Sequence, residues 1–493
     1  MGHKGTLAQL SPHNGAQMRC QTAIAWFKSR SKRSSRGVPP EWHFGPFCIA
    51  LVLLILISVC HSSLFKRFFD LIRRLGALLA DLDINTGPKT YLKTDMVAFR
   101  NLSLWLAEAG LLGFSVAASD KATYMDYSVT AIKALQTLYD EPDGLWETTG
   151  WWNSANCLTV LGDFLALAAD EAEDLSLEDV LSNTFTQAQQ TSQTATKTLI
   201  RGLSMRLFES RYTASPVSGT SALASRGFSG FINNYYDDEG WWALAWIRAY
   251  DVTGSTDYLS MAESIFADMQ GGVNGTCGGG IWWSKDRKYK NAIANELYLS
   301  VAASLANRAG ESDSYLSIAR NQWDWFKGSG MINDNNLIND GLDINSDGSC
   351  TNNGDTVWSY NQGVILGGLV ELFKATGDSD YLSEATSIAE AAVEALSTDG
   401  ILHESCEANN CGNDGSQFKG IFVRNLYYLQ VEAPKDDFRN FILDNADSIW
   451  NNDRNSSNFL GLVWSGPPSA GGSPNASTQS SALDTLVAAV AVF

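Results

Sequence analysis

Three acids in a row, Asp237, Asp238 and Glu239, lie in the segment Asn233-Asn234-Tyr235-Tyr236-Asp237-Asp238-Glu239-Gly240-Trp241-Trp242. Acids alone are ordinary at a helix start, where free N–H groups and the helix dipole stabilise negative charge. The four large aromatics that flank them need another reason. Two carboxyl groups side by side can break a glycosidic bond. One protonates the leaving oxygen; the other attacks the anomeric carbon or activates water. Neighbouring residues at a helix start splay their side chains by roughly 5 Å, which favours retention of configuration over inversion. The acid that must stay protonated needs a raised pKa, and desolvation by aromatic rings supplies one. Among the 16 Trp and 16 Tyr, some must be core and others can stack on the apolar face of a sugar.

The elements that would position this pair repeat along the chain. Thr253-Gly254-Ser255-Thr256-Asp257-Tyr258-Leu259 resembles Thr376-Gly377-Asp378-Ser379-Asp380-Tyr381-Leu382, and Gly310–Leu316 is a looser copy. Each reads as a glycine helix stop followed by a capped new helix. The flanks keep the i, i+3, i+4 spacing of amphipathic helices, as in Trp242, Ala245, Trp246 and Ala249 before the first turn. Short links between such helices imply αα-hairpins. First helices are predicted near Trp151, Asp237, Asn291, Tyr360, Lys419 and Gln479, roughly 55–85 residues apart. This predicts an all-α, six-hairpin toroid, an (α/α)6 barrel, with the first helices inside. Its last inner helix would take its partner from the beginning, around Thr123–Tyr139. The loops Gly227–Asp238, Gly271–Lys290 and Gly341–Trp358 are rich in Gly, Asn, Asp and aromatics, and should gather at one end of the barrel. Within the third, Asp343-Ile344-Asn345-Ser346-Asp347-Gly348 looks like half a calcium loop. Gly354 stands where such a loop needs Glu, so an Asp-rich turn is expected. The tail from Ser481 to Phe493 reads as the end of the sixth inner helix rather than a lipid-anchor signal.

The chain has 493 residues, a net charge of −19 and a pI of about 4.7. Such acidity disfavours nucleic acid or an anionic membrane surface and suits a neutral ligand. Residues 1–81 are a basic extension around the apolar run 47–60, FCIALVLLILISVC, and 82–493 form the catalytic domain. The run is shorter than the ~20 residues of a spanning helix and reads as a signal sequence or a retained anchor. Both readings put the remainder outside the cytosol, secreted or membrane-attached. Cys406 is close enough to Cys411 to pair, Cys277 can pair with Cys350, and one downstream cysteine is left over. With five His and no CxxC, a zinc site is not expected, and the chemistry needs no metal or cofactor. Sequons at Asn101, Asn274, Asn455 and Asn475 are candidate glycosylation sites. A closed ring needs no partner, so a monomer is expected.

Four ordered blocks carry a family resemblance: YYDDEGWW; Cys277-Gly278-Gly279-Gly280-Ile281-Trp282-Trp283 with Tyr289–Asn295; Trp358-Ser359-Tyr360-Asn361-Gln362-Gly363; and Gly400–Cys406 through Cys411 to Phe418-Lys419-Gly420. From about Leu82 onward the chain resembles glycoside hydrolase family 76, the endo-α-1,6-mannanases and related fungal cell-wall mannan proteins. The resemblance implies the (α/α)6 fold, Asp237 as nucleophile, Asp238 as general acid/base, retention, and α-1,6-mannan or its oligosaccharides as substrate. Candidate sugar-binding residues are Trp151, Trp152, Tyr236, Trp242, Trp283, Asn295, Tyr360, Asn361 and Lys419. Each has a structural alternative: core for the tryptophans, a cap or brace for the asparagines, an ion pair for Lys419. The N-terminal extension is not part of the family pattern.

Other functions fit less well. A transglycosidase would use the same pair and pass the sugar to another glycan. Unsaturated uronyl hydrolases share the fold but bind acidic sugars, which an acidic chain does not favour. A noncatalytic glycan-binding protein would have lost one acid of the pair, and both are present.

Overall fold

The computed structural model describes residues 120–189, 193–199, 208–214 and 227–493. The extension 1–81, the boundary at 82 and the Asn101 sequon lie outside the described residues.

Among the described residues, thirteen α-helices of six or more residues carry the architecture. Helix α1 (Lys121–Gln136) comes first, then α2 (Trp151–Leu167) with the short α3 (Ala169–Asp174) and α4 (Leu177–Gln187). Four hairpins follow: α5 (Tyr236–Thr253) with α6 (Thr256–Gln270), α7 (Ala292–Ala306) with α8 (Ser312–Gly328), α9 (Ser359–Thr376) with α10 (Asp380–Leu396), and α11 (Phe418–Glu432) with α12 (Asp436–Asn452). Helix α13 (Ala476–Val492) ends the chain. Helices α2, α5, α7, α9, α11 and α13 each pack on the next, and α13 packs back on α2. That closes a ring of six inner helices, an (α/α)6 barrel. Each inner helix has an outer partner, and the partner of α13 is α1. The first-helix starts read from the sequence coincide with the inner ring, and closure by the chain's beginning holds as predicted.

Burial follows position in the ring. Every residue of α7 is buried, whereas α8 buries only Ala319, Gln322, Trp323 and Phe326. An inner helix meets protein on all sides; an outer helix presents one stripe and leaves its other face to water. The predicted glycine stops terminate α5 and α9: Gly254 and Gly377 have φ of 70° and 73°, the left-handed conformation that a Cβ disfavours.

Small sheets sit in the loops. Strands β1 (Gln193–Leu199) and β2 (Phe208–Ala214) form an antiparallel hairpin between α4 and α5. Strands β3 (Lys290–Asn291), β4 (Gly341–Ile344) and β5 (Cys350–Asn352) form a three-stranded sheet before α7 and α9. The Asp343–Gly348 segment is the β4–β5 turn, where the Asp347 carboxylate accepts from the Ser349 N–H and hydroxyl at 2.9 and 2.6 Å. Among the described residues there are two disulfides, Cys277–Cys350 and Cys406–Cys411, and Cys157 is a buried free thiol. Of the described sequons, Asn475 caps α13, while Asn274 and Asn455 fix turns through their side-chain oxygens. Among the described residues no helix is long and apolar enough to cross a membrane.

Candidate active site

Helix α5 begins at Tyr236 after an extended Tyr235, so its first turn carries Asp237, Asp238 and Glu239. The three acids point to different surroundings. Asp237 is 6% exposed and faces a cleft at the mouth of the ring. Asp238 is fully buried and accepts from Asn233 Nδ2 at 2.7 Å. Glu239 turns away: it pairs with Lys285 at 3.0 Å and accepts from the Asn233 N–H at 3.2 Å. Glu239 therefore braces the loop to the helix and is not part of the pair.

One cation lies between the other two acids. Lys197 Nζ, on β1, is 2.6 Å from Asp237 Oδ2 and 2.6 Å from Asp238 Oδ1. Twice that distance, 5.2 Å, is therefore the largest separation the two flanking oxygens can have. Burial pushes the Asp238 carboxyl above its ordinary range; Lys197 opposes this, the Asp237 charge adds to it, and Asn233 opposes it. Burial also works against the Lys197 ammonium, but the two carboxylates outweigh it and hold the group above its usual value.

The cleft lies beside Asp237 and Lys197. Its walls are aromatic: Trp152, Trp241, Trp283, Tyr289, Trp358, Tyr360 and Phe418. Tyr360 stacks on Phe418 with ring centroids 3.8 Å apart, and Trp152 stacks on Trp241 at 5.5 Å. Further carboxylates stand between them. Asp340 accepts from the Tyr289 hydroxyl at 2.5 Å, and Asp414 accepts from Trp152 Nε1 at 2.9 Å. Apolar ring faces with interspersed acceptors match a pyranose, which has C–H faces and a rim of hydroxyls. All of these groups come from the mouths of inner helices or the loops before them, as the loop composition predicted.

Of the candidate residues, the structure brings Trp152, Trp283 and Tyr360 to the cleft with Asp237. It does not bring the others. Trp151 and Trp242 are core: their rings lie 5.4 Å apart, and Trp242 packs on Phe231 at 4.7 Å. Tyr236 lies against the backbone of Gly272, off the cleft wall. Asn295 is a brace, accepting from the Ile281 N–H at 2.8 Å and donating to the Ile281 and Asn291 carbonyls at 3.0 and 2.7 Å. Asn361 is fully buried and does not line the cleft. Lys419 is a structural clamp, pairing with Glu407, donating to the Leu462 carbonyl at 2.7 Å and lying over the Trp464 ring. Sequence reasoning missed Lys197, Asn233, Tyr289, Asp340 and Asp414. Among the described residues there is no group of three or more His, Cys, Asp or Glu that could hold a metal ion.

A family model, Glycosyl hydrolase family 76, matches residues 219–492, more than half of the sequence. The chain belongs to this family. Mannan endo-1,6-alpha-mannosidase DFG5 of Saccharomyces cerevisiae is 31% identical over 215 residues, 40% of this chain and 46% of that protein. A putative mannan endo-1,6-alpha-mannosidase of Schizosaccharomyces pombe is 33% identical over 214 residues, 40% of this chain and 48% of that protein. The chain thus spans about half the length of the curated relatives it matches. Among solved structures, an inactive α-1,6-mannanase variant from Salegentibacter sp. HEL1_6, with two adjacent aspartates changed to asparagine and α-1,6-mannotriose bound, is similar at a TM-score of 0.60. It is 23% identical, with 75% of this chain and 100% of that chain covered. Dfg5 from Chaetomium thermophilum in complex with glucosamine matches at a TM-score of 0.60 and 18% identity, covering 76% and 92%. At these identities the structural likeness establishes the barrel.

Proposed function

We propose that this chain is a retaining glycosidase that cleaves α-1,6-mannosidic linkages in mannan, with Asp237 as nucleophile and Asp238 as general acid/base. The observation that carries the proposal is the unequal pair. One carboxylate faces the cleft; the other is buried and pushed upward, and the facing oxygens are no more than 5.2 Å apart. That upper bound falls below the ~6.5–9.5 Å of inverting enzymes, which favours retention. In the first step an Asp237 oxygen attacks the anomeric carbon. The bond to O6 of the leaving mannose breaks, its electron pair stays on that oxygen, and Asp238 supplies the proton. In the second step Asp238, now a carboxylate, takes a proton from water. The resulting hydroxide displaces Asp237 from the anomeric carbon and restores both groups.

The linkage and sugar rest on the relatives' names and on the mannotriose held by a structural neighbour. The two disulfides support work in an oxidising, extracytosolic setting. There the sequons Asn274, Asn455 and Asn475 are available for glycosylation. The test is product release from linear α-1,6-mannan by wild type, Asp237→Asn and Asp238→Asn. Short mannose oligomers from wild type and none from either variant support the reading. Chain lengthening with an added acceptor, without hydrolysis, would replace it with a transglycosidase.

A further inference from the structure

The β1–β2 hairpin lies before the residues that match the family model, yet its side chains reach into the cleft. Lys197 and Ser210 are directly opposite each other in its register. Lys197 Nζ takes the place between Asp237 and Asp238, with its side chain only 5% exposed. The Lys197 N–H donates to the Tyr235 hydroxyl at 2.9 Å. Across the hairpin, the Ser210 N–H and hydroxyl donate to Asp414 Oδ2 at 2.7 and 2.8 Å. The alternation of a strand makes this possible. Ala195 is buried and Lys197 points inward, while Thr196 and Arg211, themselves a cross-strand pair, are exposed.

The ammonium also lies 5.0 Å from the Tyr235 ring centroid and 5.5 Å from that of Trp283. Two carboxylates and two ring faces make a box for a positive charge. A glycosidic transition state is such a charge: the sugar becomes oxocarbenium-like at the anomeric centre. A sugar at the pair and the Lys197 ammonium need the same volume and the same two oxygens.

We infer that the β1–β2 hairpin is an intramolecular strap that occludes the active site, with Lys197 as a built-in mimic of the cationic sugar, and that substrate must displace it. The inference rests on reading Asp237 and Asp238 as the catalytic pair. The strap competes with substrate in the ground state, so it raises KM by the ratio of all molecules to open ones. Lys197→Ala and the milder Lys197→Gln should both lower KM for linear α-1,6-mannan roughly tenfold, given a strap closed in about nine molecules of ten. Ser210→Ala should act in the same direction by a smaller factor. Docking is read without turnover by acylating lysines in the full-length protein and quantifying each by peptide mass spectrometry. Lys288, whose side chain is 79% exposed, serves as the internal standard. Lys197 should react at least tenfold more slowly than Lys288 in wild type, and catch up in Asp237→Asn/Asp238→Asn, where both anchoring charges are gone. A Lys197 that reacts as fast as Lys288 in wild type overturns the strap. So does an unchanged KM in active Lys197 variants, which leaves the glycosidase reading intact. Inactivity of the wild type as well as of every variant, with Lys197 still shielded, removes the mannanase reading while the strap stands on its labelling; an active wild type beside inactive Lys197 variants overturns the strap.

Discussion

Asn233 gives the acid/base assignment its most direct test. Its side-chain Nδ2 donates to Asp238 Oδ2 at 2.7 Å, in a site where Asn233 is 6% exposed and Asp238 fully buried. That bond stabilises only the ionised carboxylate, so it holds the Asp238 pKa below where burial alone would put it. Asn233→Ala removes the donor. A hydrogen bond to a charged group contributes about 1.5–3 kcal/mol. At 1.36 kcal/mol per pKa unit, the carboxyl should rise by about 1–2 further units. A general acid must be protonated, so the alkaline limb of kcat/KM should move to higher pH by that amount. Asn233→Asp keeps the oxygen that accepts from the Tyr235 N–H and adds a negative charge beside Asp238, so it should move the limb further in the same direction. The assay is kcat/KM for α-1,6-mannotetraose across the pH range in the three proteins. An alkaline limb that stays put, or moves down, refutes Asp238 as the group whose protonation the reaction needs.

Other measurements separate structural from functional roles. Trp242→Ala should cost about 3–5 kcal/mol in a urea titration because it empties a core site, whereas Trp283→Ala should act mainly on KM. Loss of Cys277–Cys350, which spans 73 residues, should cost about 4 kcal/mol by loop-closure entropy, against about 2 for Cys406–Cys411, which spans 5. Burial pushes Glu404 and Asp484 up to about 7 and Asp453 up to about 8. Between the ~4 of unfolded carboxylates and these values the folded chain binds more protons than the unfolded one, so stability falls as pH rises through that window. Thermal unfolding should give a lower Tm at pH 8 than at pH 5; a Tm that climbs instead contradicts the stated direction.

The ring was legible because its signals are local. Inner-helix starts follow from a 3.6-residue period and from glycine stops such as Gly254 and Gly377, which depend on a few neighbouring residues. The adjacent acids at the start of α5 were legible for the same reason. Which tryptophan faces the cleft was readable in principle: Trp241 lies four residues after Asp237 and shares its face, whereas Trp242 follows the buried Asp238 into the core. The hairpin left a weak trace in the alternation Ala195, Thr196, Lys197, Thr198, which polar surroundings obscure. That Lys197 settles on acids 40 residues away, or that Tyr289 meets Asp340 across 51, is a fact of tertiary docking that no local pattern encodes.

Closure of the ring by its two ends sets an order of events during synthesis. Gln479 Nε2 on α13 donates to the Ala131 carbonyl on α1, 348 residues earlier, at 3.0 Å. At about 5–20 residues per second, the apolar side of α1 waits roughly 20–70 s for its partner to be made. Until then the growing chain is an open arc with α2 and α11 uncovered along one edge each, and a chain stopped before Ala476 keeps that edge permanently. Such chains would be held by chaperones or degraded, so closure of the ring waits on synthesis of the 17-residue helix α13.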